Sequence, residues 1–127
     1  MYWTLIDMIV NQSGDFIGTL LAEVFRRELL SDRKREKVKK WRISLLLDTD
    51  YYPVSINFNN GISIKKGIIK DPDITMTTSM QTIIDITKGK ISAFQALRKG
   101  ELKIKGILRH PLAAIRLYRF MIPALGG

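Results

Sequence analysis

The sequence predicts an α+β domain, in which a five-stranded, mostly antiparallel sheet has one face covered by helices. Apolar residues recur at helical spacing in the first forty residues and near the C-terminus. From Trp41 onward they alternate instead with polar residues at a period of two. The dipeptide Asn60-Gly61 separates two alternating runs, as is typical of a tight hairpin. Because a sheet with one apolar face must be covered, the helices are expected to pack on that face.

Length and composition indicate one globular domain. We expect a single unit over residues 1–127, with an N-terminal helical segment at 1–40 followed by the sheet and its covering helices at 41–127. No apolar run approaches the roughly 20 residues that span a bilayer, and the N-terminal stretch, interrupted by Asp7, lacks the features of a signal peptide. Cysteine is absent, which excludes disulfides and thiolate metal sites and favours a cytoplasmic location.

Helical spacing predicts at least two helices in the N-terminal segment. The first stretch carries Tyr2, Leu5, Ile6 and Ile9 at that spacing, before Asn11, Ser13 and Gly14 interrupt it. The second carries an apolar stripe formed by Ile17, Leu20, Leu21 and Val24, with Phe16 and Phe25 beside it. Ser31 and Asp32 then offer a break or a new helix N-cap.

A basic run follows. Between Arg26 and Arg42 the chain has nine Lys or Arg residues and three Asp or Glu residues, within a net charge of +9. Such a run attracts an anionic partner, either a nucleic-acid backbone or lipid head groups, unless it is simply a solvated helix face. The residues assigned to membrane or anion docking are Arg33, Lys34, Arg35, Lys37, Lys39 and Lys40.

The alternating runs predict strands with one apolar face. They are centred on Leu45, Ile56, Ile62-Ile64, Met76 and Ile104. Between the fourth and fifth strands, the spacing of Thr78 and Gln81 predicts a capping box opening a helix through about Lys88. Ser92 and Gln95 predict a second helix, closed by Gly100.

The remaining features predict how the chain ends. Gly106 follows the last strand, where the chain must turn or another backbone comes close. A final helix begins near Pro111 and is expected to stop at Pro123.

The succession of these motifs resembles the sterol-carrier-protein family. That family has a Pro-Asp-hydrophobic-Thr strand, a helix, a Gly-Lys turn, a helix with Ala and a Gly-hydrophobic-Lys strand. Here the first strand corresponds to Pro72–Thr75 and the turn to Gly89-Lys90. The helix with Ala corresponds to Ala93–Ala96, and the last strand to Gly100–Gly106. The resemblance covers 62–112 and extends upstream to roughly Trp41. The family usually continues after Gly106 with a polar residue, whereas this chain has Ile107 and Leu108.

The resemblance implies a lipid or sterol carrier whose ligand lies between the sheet and its helices. The candidate lining comprises Leu45, Leu47, Ile56, Phe58, Met76, Met80, Ile83, Phe94, Leu97, Ile115, Phe120 and Met121. Each of these residues also suits an ordinary core, although flexible methionines adapt well to an exchangeable ligand. The expected partners are an apolar small molecule or lipid and a membrane contacted peripherally, with a homodimer or a lipid-related enzyme left open.

The sequence does not predict an enzyme, a cofactor or a metal site. His110 is the lone histidine and precedes a proline at a helix start, while Asp71 and Asp73 flank Pro72 in a turn-like segment. No phosphate-binding glycine loop or metal-ligand cluster is present in the sequence.

Two alternatives from other classes remain open at this level. The basic run with Trp41, Tyr51 and Tyr52 would suit nucleic-acid binding through phosphate contacts and base stacking. A non-catalytic interaction scaffold would instead use Trp3, Phe16 and Phe25 against a partner or a second copy.

Overall fold

The computed structural model describes residues 10–12 and 14–124, with side chains described at Val10 and from Gly14 to Phe120. The predicted first helical stretch, including Trp3, lies outside this range. The elements in chain order are β1 (Val10–Gln12), α1 (Phe16–Glu28), α2 (Asp32–Lys39), β2 (Arg42–Asp48), β3 (Val54–Asn59), β4 (Ile62–Lys66), β5 (Ile74–Thr78), α3 (Met80–Thr87), α4 (Ala93–Lys99), β6 (Leu102–Lys105) and α5 (Pro111–Ala124). The predicted α+β class and the five predicted strands are confirmed.

The sheet is mixed and has six described strands in the order β1-β4-β3-β2-β5-β6. The pairs β2–β3, β3–β4 and β5–β6 are antiparallel, whereas β1–β4 and β2–β5 are parallel. The parallel pair at the centre arises because β2, β3 and β4 form an antiparallel meander and the chain after β4 crosses back to place β5 beside β2 in the same direction. β6 ends the order and forms one edge of the sheet.

The strands have one buried face, as the alternation predicts. Ile43, Leu45 and Leu47 of β2 are buried, while the residues between them are partly exposed. The hairpin between β3 and β4 turns at Asn60 and Gly61, both of which have positive φ angles, +56° and +132°. Positive φ is readily adopted by Asn and Gly at such turns, so this local prediction is confirmed.

Side chains cap the helices at the predicted breaks, with one correction. Ser31 accepts a hydrogen bond from the Lys34 amide, and Ser92 and Gln95 form a reciprocal capping box. The cap of α3 is Ser79 rather than Thr78. Thr78 remains in β5, where its hydroxyl donates to the Glu101 carbonyl at 2.8 Å.

The last helix begins at Pro111 as predicted, but it extends through Pro123 to Ala124. The expected stop at Pro123 is therefore wrong. Proline cannot donate an N–H and its ring crowds the carbonyl four residues back, but its fixed φ is helical, and here it stands in the last turn with one further residue after it.

Four aromatic rings join the helical layer to the sheet. Phe120 of α5 packs against Phe25 of α1 with ring centroids 5.4 Å apart and against Trp41 at 5.7 Å. Phe58 of β3 lies 5.6 Å from Trp41 and 6.3 Å from Phe120. Aromatic pairs at these distances each add about 0.5–1.5 kcal/mol beyond the burial of area. This cluster fixes the second half of α5 on the core.

Hydrogen bonds and a close backbone contact hold the β5–β6 end of the sheet together. Ser44 and Asp73 exchange hydrogen bonds: the Ser44 amide donates to the Asp73 carboxylate at 3.1 Å, and the Asp73 amide donates to the Ser44 hydroxyl at 2.9 Å. Gly106, at φ +100°, passes so close that a Cβ there would lie 2.2 Å from the Asp73 carbonyl oxygen. Of the two alternatives expected for Gly106, a turn or a close backbone approach, the structure shows the close approach.

Candidate functional site: an apolar groove beneath the last helix

A groove of about 740 Å³ lies between the β5–β6 end of the sheet, α4 and α5. Its floor is formed by Ile74 and Met76 of β5 with Leu102 and Ile104 of β6. Its walls and rim are formed by Ala93, Leu97, Lys103, Ile107, Pro111, Ala114, Ile115, Leu117, Tyr118 and Arg119. The alternation of β5 and β6 supplies the floor, because every second side chain points to the helical face.

The groove arises from the way in which α4 and α5 pack on the sheet. α4 faces the sheet with Ala93 and Ala96, which are fully buried and let the helix approach closely. α5 is held by Leu117 and Phe120, both buried, whereas Ile115 in its first half is 51% exposed although it lines the groove. Ala93 and Ala114 place short side chains where longer ones would fill the space.

The size and chemistry of the groove suit a hydrocarbon ligand. Ligand pockets in proteins typically enclose roughly 300–1,000 Å³, with apolar walls and few polar groups. Here the charged groups are Lys103 and Arg119, and both walls and floor are otherwise chiefly aliphatic. Such a lining binds water poorly and offers a hydrocarbon chain continuous contact.

A second cavity, of about 420 Å³, lies between α2 and α5. Its apolar residues are Val38, Trp41, Leu112, Ile115 and Phe120. Its charged residues are Lys34, Lys37, Lys40, Arg116 and Arg119. Ile115 and Arg119, one helical turn apart on α5, line both this cavity and the groove.

The structure brings only part of the predicted lining together. Met76, Leu97 and Ile115 line the groove, and Ile115 and Phe120 line the second cavity. Buried residues that line neither are Leu45, Leu47, Ile56, Phe58, Met80 and Ile83. Phe94 is 49% exposed and also lines neither, because α4 turns its alanines toward the sheet. The side chain of Met121 lies outside the described residues.

The predicted docking residues also separate by environment. Arg35 is only 7% exposed, and its guanidinium donates to the Leu29 carbonyl at 2.7 Å and forms an ion pair with Asp32. It therefore satisfies the C-terminal carbonyls of α1 instead of facing solvent. Lys34 forms an ion pair with Glu28.

The other predicted docking residues face solvent to different degrees. Lys39 lies 3.6 Å from Glu36, and Arg33, Lys37 and Lys40 are exposed. The accessible charge of α2 and the residue that follows it is thus carried mainly by Arg33, Lys37 and Lys40.

Sequence reasoning missed most of the groove. The missed residues are Ile74, Ala93, Leu102, Lys103, Ile104, Ile107, Pro111, Ala114, Leu117, Tyr118 and Arg119. One signal was present, namely the apolar pair after Gly106 where a polar residue is usual. Leu108 is 97% exposed and Ile107 lines the groove, so this turn presents apolar side chains at the rim.

Polar groups near the groove form structural contacts. His110 Nε2 lies 3.7 Å from the Asp73 carboxylate, and the His110 carbonyl accepts from the Ala114 amide in the first turn of α5. Within residues 10–12 and 14–124, no group of three or more His, Asp or Glu side chains is placed to hold a metal ion. Over the same part of the chain, no helix combines the length and apolarity needed to cross a bilayer.

The aromatic residues that would serve nucleic-acid binding or an interaction scaffold differ in how far they are buried. Trp41 is 8% exposed within the aromatic cluster, and the Tyr52 hydroxyl accepts from the Ile17 amide at 2.9 Å and donates to Asp15 at 2.5 Å. Burial and the hydrogen bond to Asp15 raise the pKa of Tyr52 above its ordinary value of 10.0. Phe25 is buried and Phe16 is exposed. Trp41 and Phe25 therefore contribute to the core.

Comparison with known proteins identifies the architecture. The model of the SCP-2 sterol transfer family matches residues 21–109. The sterol carrier protein domain 2 of Helicoverpa armigera is 23% identical, with a TM-score of 0.60, and the match covers 79% of this chain and 80% of that one. Sterol carrier protein 2 from Yarrowia lipolytica is 24% identical, with a TM-score of 0.52, over 81% and 84% of the two chains.

A larger protein contains a similar unit. The stereoselective inverting sec-alkylsulfatase of a Pseudomonas species matches with 17% identity and a TM-score of 0.54 over 68% of this chain. The match spans only 13% of the sulfatase. No curated protein sequence matches this chain significantly. At these identities the structural likenesses establish the fold.

Proposed function

The chain belongs to the SCP-2 sterol transfer family, and on that premise we propose that it binds a lipid, sterol or other apolar ligand in the groove beneath α5 and transfers it between membranes. The observation that carries the proposal is the groove itself, with about 740 Å³ of space above Ile74, Met76, Leu102 and Ile104. The apolar side chains of Ile107 and Ile115 at its rim are exposed, which is costly unless a ligand covers them.

Energetics favour a carrier over an irreversible trap. Burial of one methylene from water is worth about 0.8 kcal/mol, but a lipid that arrives from a bilayer already has that stabilisation. Transfer from membrane to groove is therefore nearly balanced in free energy. A groove open at the level of Ile107 and Ile115 suits such exchange.

The proposal includes docking on an anionic membrane. Lys37 of α2 and Lys40, which follows that helix, line the same cavity as Arg116 and Arg119 of α5, and Leu112 beside them is exposed. Each Lys or Arg near an anionic leaflet contributes about 1 kcal/mol, so this surface would hold the protein where the groove can exchange its ligand. Of the predicted docking residues, Arg35 is the least suited to this role because it is buried.

We further propose that the protein works in the cytoplasm without catalytic activity of its own. The anionic cytoplasmic leaflet complements a net charge of +9. A lipid-related enzyme or a second copy of the chain remains a candidate partner in that setting. Size-exclusion chromatography with light scattering would report the second copy directly.

The groove can be tested by filling it. Ile104→Trp places a large side chain on the floor of the groove, whereas Ile68→Trp adds the same side chain at an exposed position that does not line it. Native mass spectrometry would first identify any lipid that co-purifies, and calorimetric titration with monooleoylglycerol would then give affinities. We expect at least a tenfold loss of affinity for Ile104→Trp and none for Ile68→Trp. Equal affinities for both variants and the parent, or no binding at all, would exclude the groove as the ligand site.

Docking has its own test. Flotation with phosphatidylcholine vesicles, with and without phosphatidylserine, should show binding that depends on the anionic lipid and that falls as salt is raised. Binding that is independent of both would remove the docking step and leave ligand binding unaffected.

A further inference from the structure

The cavity between α2 and α5 combines an apolar floor with clustered positive charge. Lys37 in α2 and Lys40 directly after it line one side, and Arg116 and Arg119 of α5 line the other. Trp41, Leu112 and Phe120 lie between them. The cations come from two separate elements and converge on one space of about 420 Å³.

These four cations have no acidic partners among the described side chains. Lys34, at the edge of the same cavity, forms an ion pair with Glu28, but none is formed by the other four. The sequence supports the asymmetry, since the 26 residues after Glu101 contain five Lys or Arg and no Asp or Glu. Like charges held together raise the free energy of the empty cavity and create a strong positive potential for an anion.

We propose that this cavity binds the phosphate group of an amphiphilic ligand whose hydrocarbon part lies in the groove. The inference rests on the proposed function and specifies its ligand class. A phosphomonoester carries about −1.5 to −2 charges at pH 7 and three acceptor oxygens, which suits several cations better than a carboxylate with a single charge. Arg116 and Arg119 add guanidinium forks, which bind phosphate through paired hydrogen bonds.

The position of the cavity fits one ligand that uses both spaces. Ile115 and Arg119 line the groove and the cavity, so a chain leaving the groove past Ile115 meets Arg119 at the boundary. The apolar surface of Trp41, Leu112 and Phe120 lowers the local dielectric and strengthens the pairing of phosphate with the cations. When the protein is away from an anionic membrane, a neutral sterol or glyceride would supply no counterion to these cations.

Matched ligands test the proposal without a membrane. Oleoyl-lysophosphatidate and monooleoylglycerol share the chain and the glycerol and differ in the phosphate, and glycerol phosphate supplies the phosphate without the chain. Calorimetric titrations would be made below the critical micelle concentrations. We expect lysophosphatidate to bind at least tenfold more tightly than monooleoylglycerol, and the difference to shrink as salt is raised.

Charge-removing variants test whether the preference for lysophosphatidate arises in this cavity. Lys37→Gln combined with Arg116→Gln removes one cation from each wall, whereas Lys88→Gln combined with Lys90→Gln removes two exposed cations away from the cavity. The first pair should remove most of the preference for lysophosphatidate and leave the affinity for monooleoylglycerol unchanged. The second pair should leave both affinities unchanged.

The outcomes are distinguishable. If the two lipids bind equally to the parent protein, or if both double variants lose the preference equally, the phosphate cavity is refuted while the proposed carrier function stands. If glycerol phosphate binds as tightly as lysophosphatidate and is lost in the same variant, the cavity serves a soluble phosphate and the amphiphile is excluded. If neither lipid binds, the proposed function itself has failed.

Discussion

Replacement of Gly106 by alanine places a Cβ atom where the neighbouring backbone already lies. That atom would be 2.2 Å from the Asp73 carbonyl oxygen and 3.4 Å from the Ile74 Cα, at a φ of +100°. A left-handed backbone alone costs an L-residue roughly 1–2 kcal/mol. No rotamer change can relieve a contact between Cβ and backbone, so β6 must shift from β5 at further cost. We expect a total loss of about 3–4 kcal/mol in the free energy of unfolding.

Urea denaturation measures this loss. With a slope typical of small domains, about 1.5 kcal/mol per molar urea, the midpoint should fall by about 2–2.7 M. Gly100→Ala is the matched control, because Gly100 has a φ of +77° but no atom within 4 Å of the added Cβ. It should lose only the conformational part, about 1–2 kcal/mol. Equal losses in the two variants would refute the close-approach argument, since it predicts an excess at Gly106 alone.

Three further predictions concern side chains whose contacts stabilise the folded protein. Tyr52→Phe should be less stable than the parent protein at pH 8, and this difference in stability should narrow above about pH 10. The pKa of Tyr52 is raised in the folded state, so the unfolded state releases the tyrosine proton first and the stability of the parent falls there. Urea unfolding at pH 8 and pH 11 measures the difference, and a difference that does not narrow would show that the reasoning is wrong. Phe120→Ala should cost about 3–5 kcal/mol in thermal or urea unfolding, because it opens a hole between Phe25 and Trp41, and a loss below 1 kcal/mol would contradict the anchoring of α5. Arg35→Leu should cost about 1–3 kcal/mol in the same assay by leaving the Leu29 carbonyl without its donor, whereas an unchanged stability would show that water replaces the guanidinium.

Local signals predicted most of the fold. The alternation in β2 to β6, the turn at Asn60-Gly61 and the capping box at Ser92 each depend on residues close in sequence, and each is confirmed. The strand β1 was missed because three residues carry no periodic pattern, and its pairing with β4 depends on a contact distant in sequence. Thr78 has the spacing of a helix cap, but its place in β5 is decided by its pairing with Leu102.

The site was less predictable for a physical reason. An apolar residue at a buried register position packs against a neighbour or lines a space, and the sequence pattern is the same for both. Leu45 and Met76 alternate identically in their strands, yet only Met76 lies under the gap between α4 and α5. That gap depends on the short side chains of Ala93 and Ala114 and on where Phe120 holds α5, none of which alternation encodes. Arg35 and Lys37 are likewise indistinguishable as charges in the sequence, but in the structure Arg35 is buried and Lys37 is exposed.

β6 forms part of the floor of the groove and is also an edge strand of the sheet that the structure describes, and this combination bears on the association of one molecule with another. An unpaired strand edge can recruit the same strand from another molecule, the first step toward ordered fibrils. Along β6 the inward Leu102 and Ile104 alternate with the exposed Lys103 and Lys105. Edge-to-edge joining of two molecules would bring like ammonium groups to neighbouring strands about 5 Å apart. Repulsion between these lysines therefore opposes polymerisation through an edge strand whose inner face is apolar.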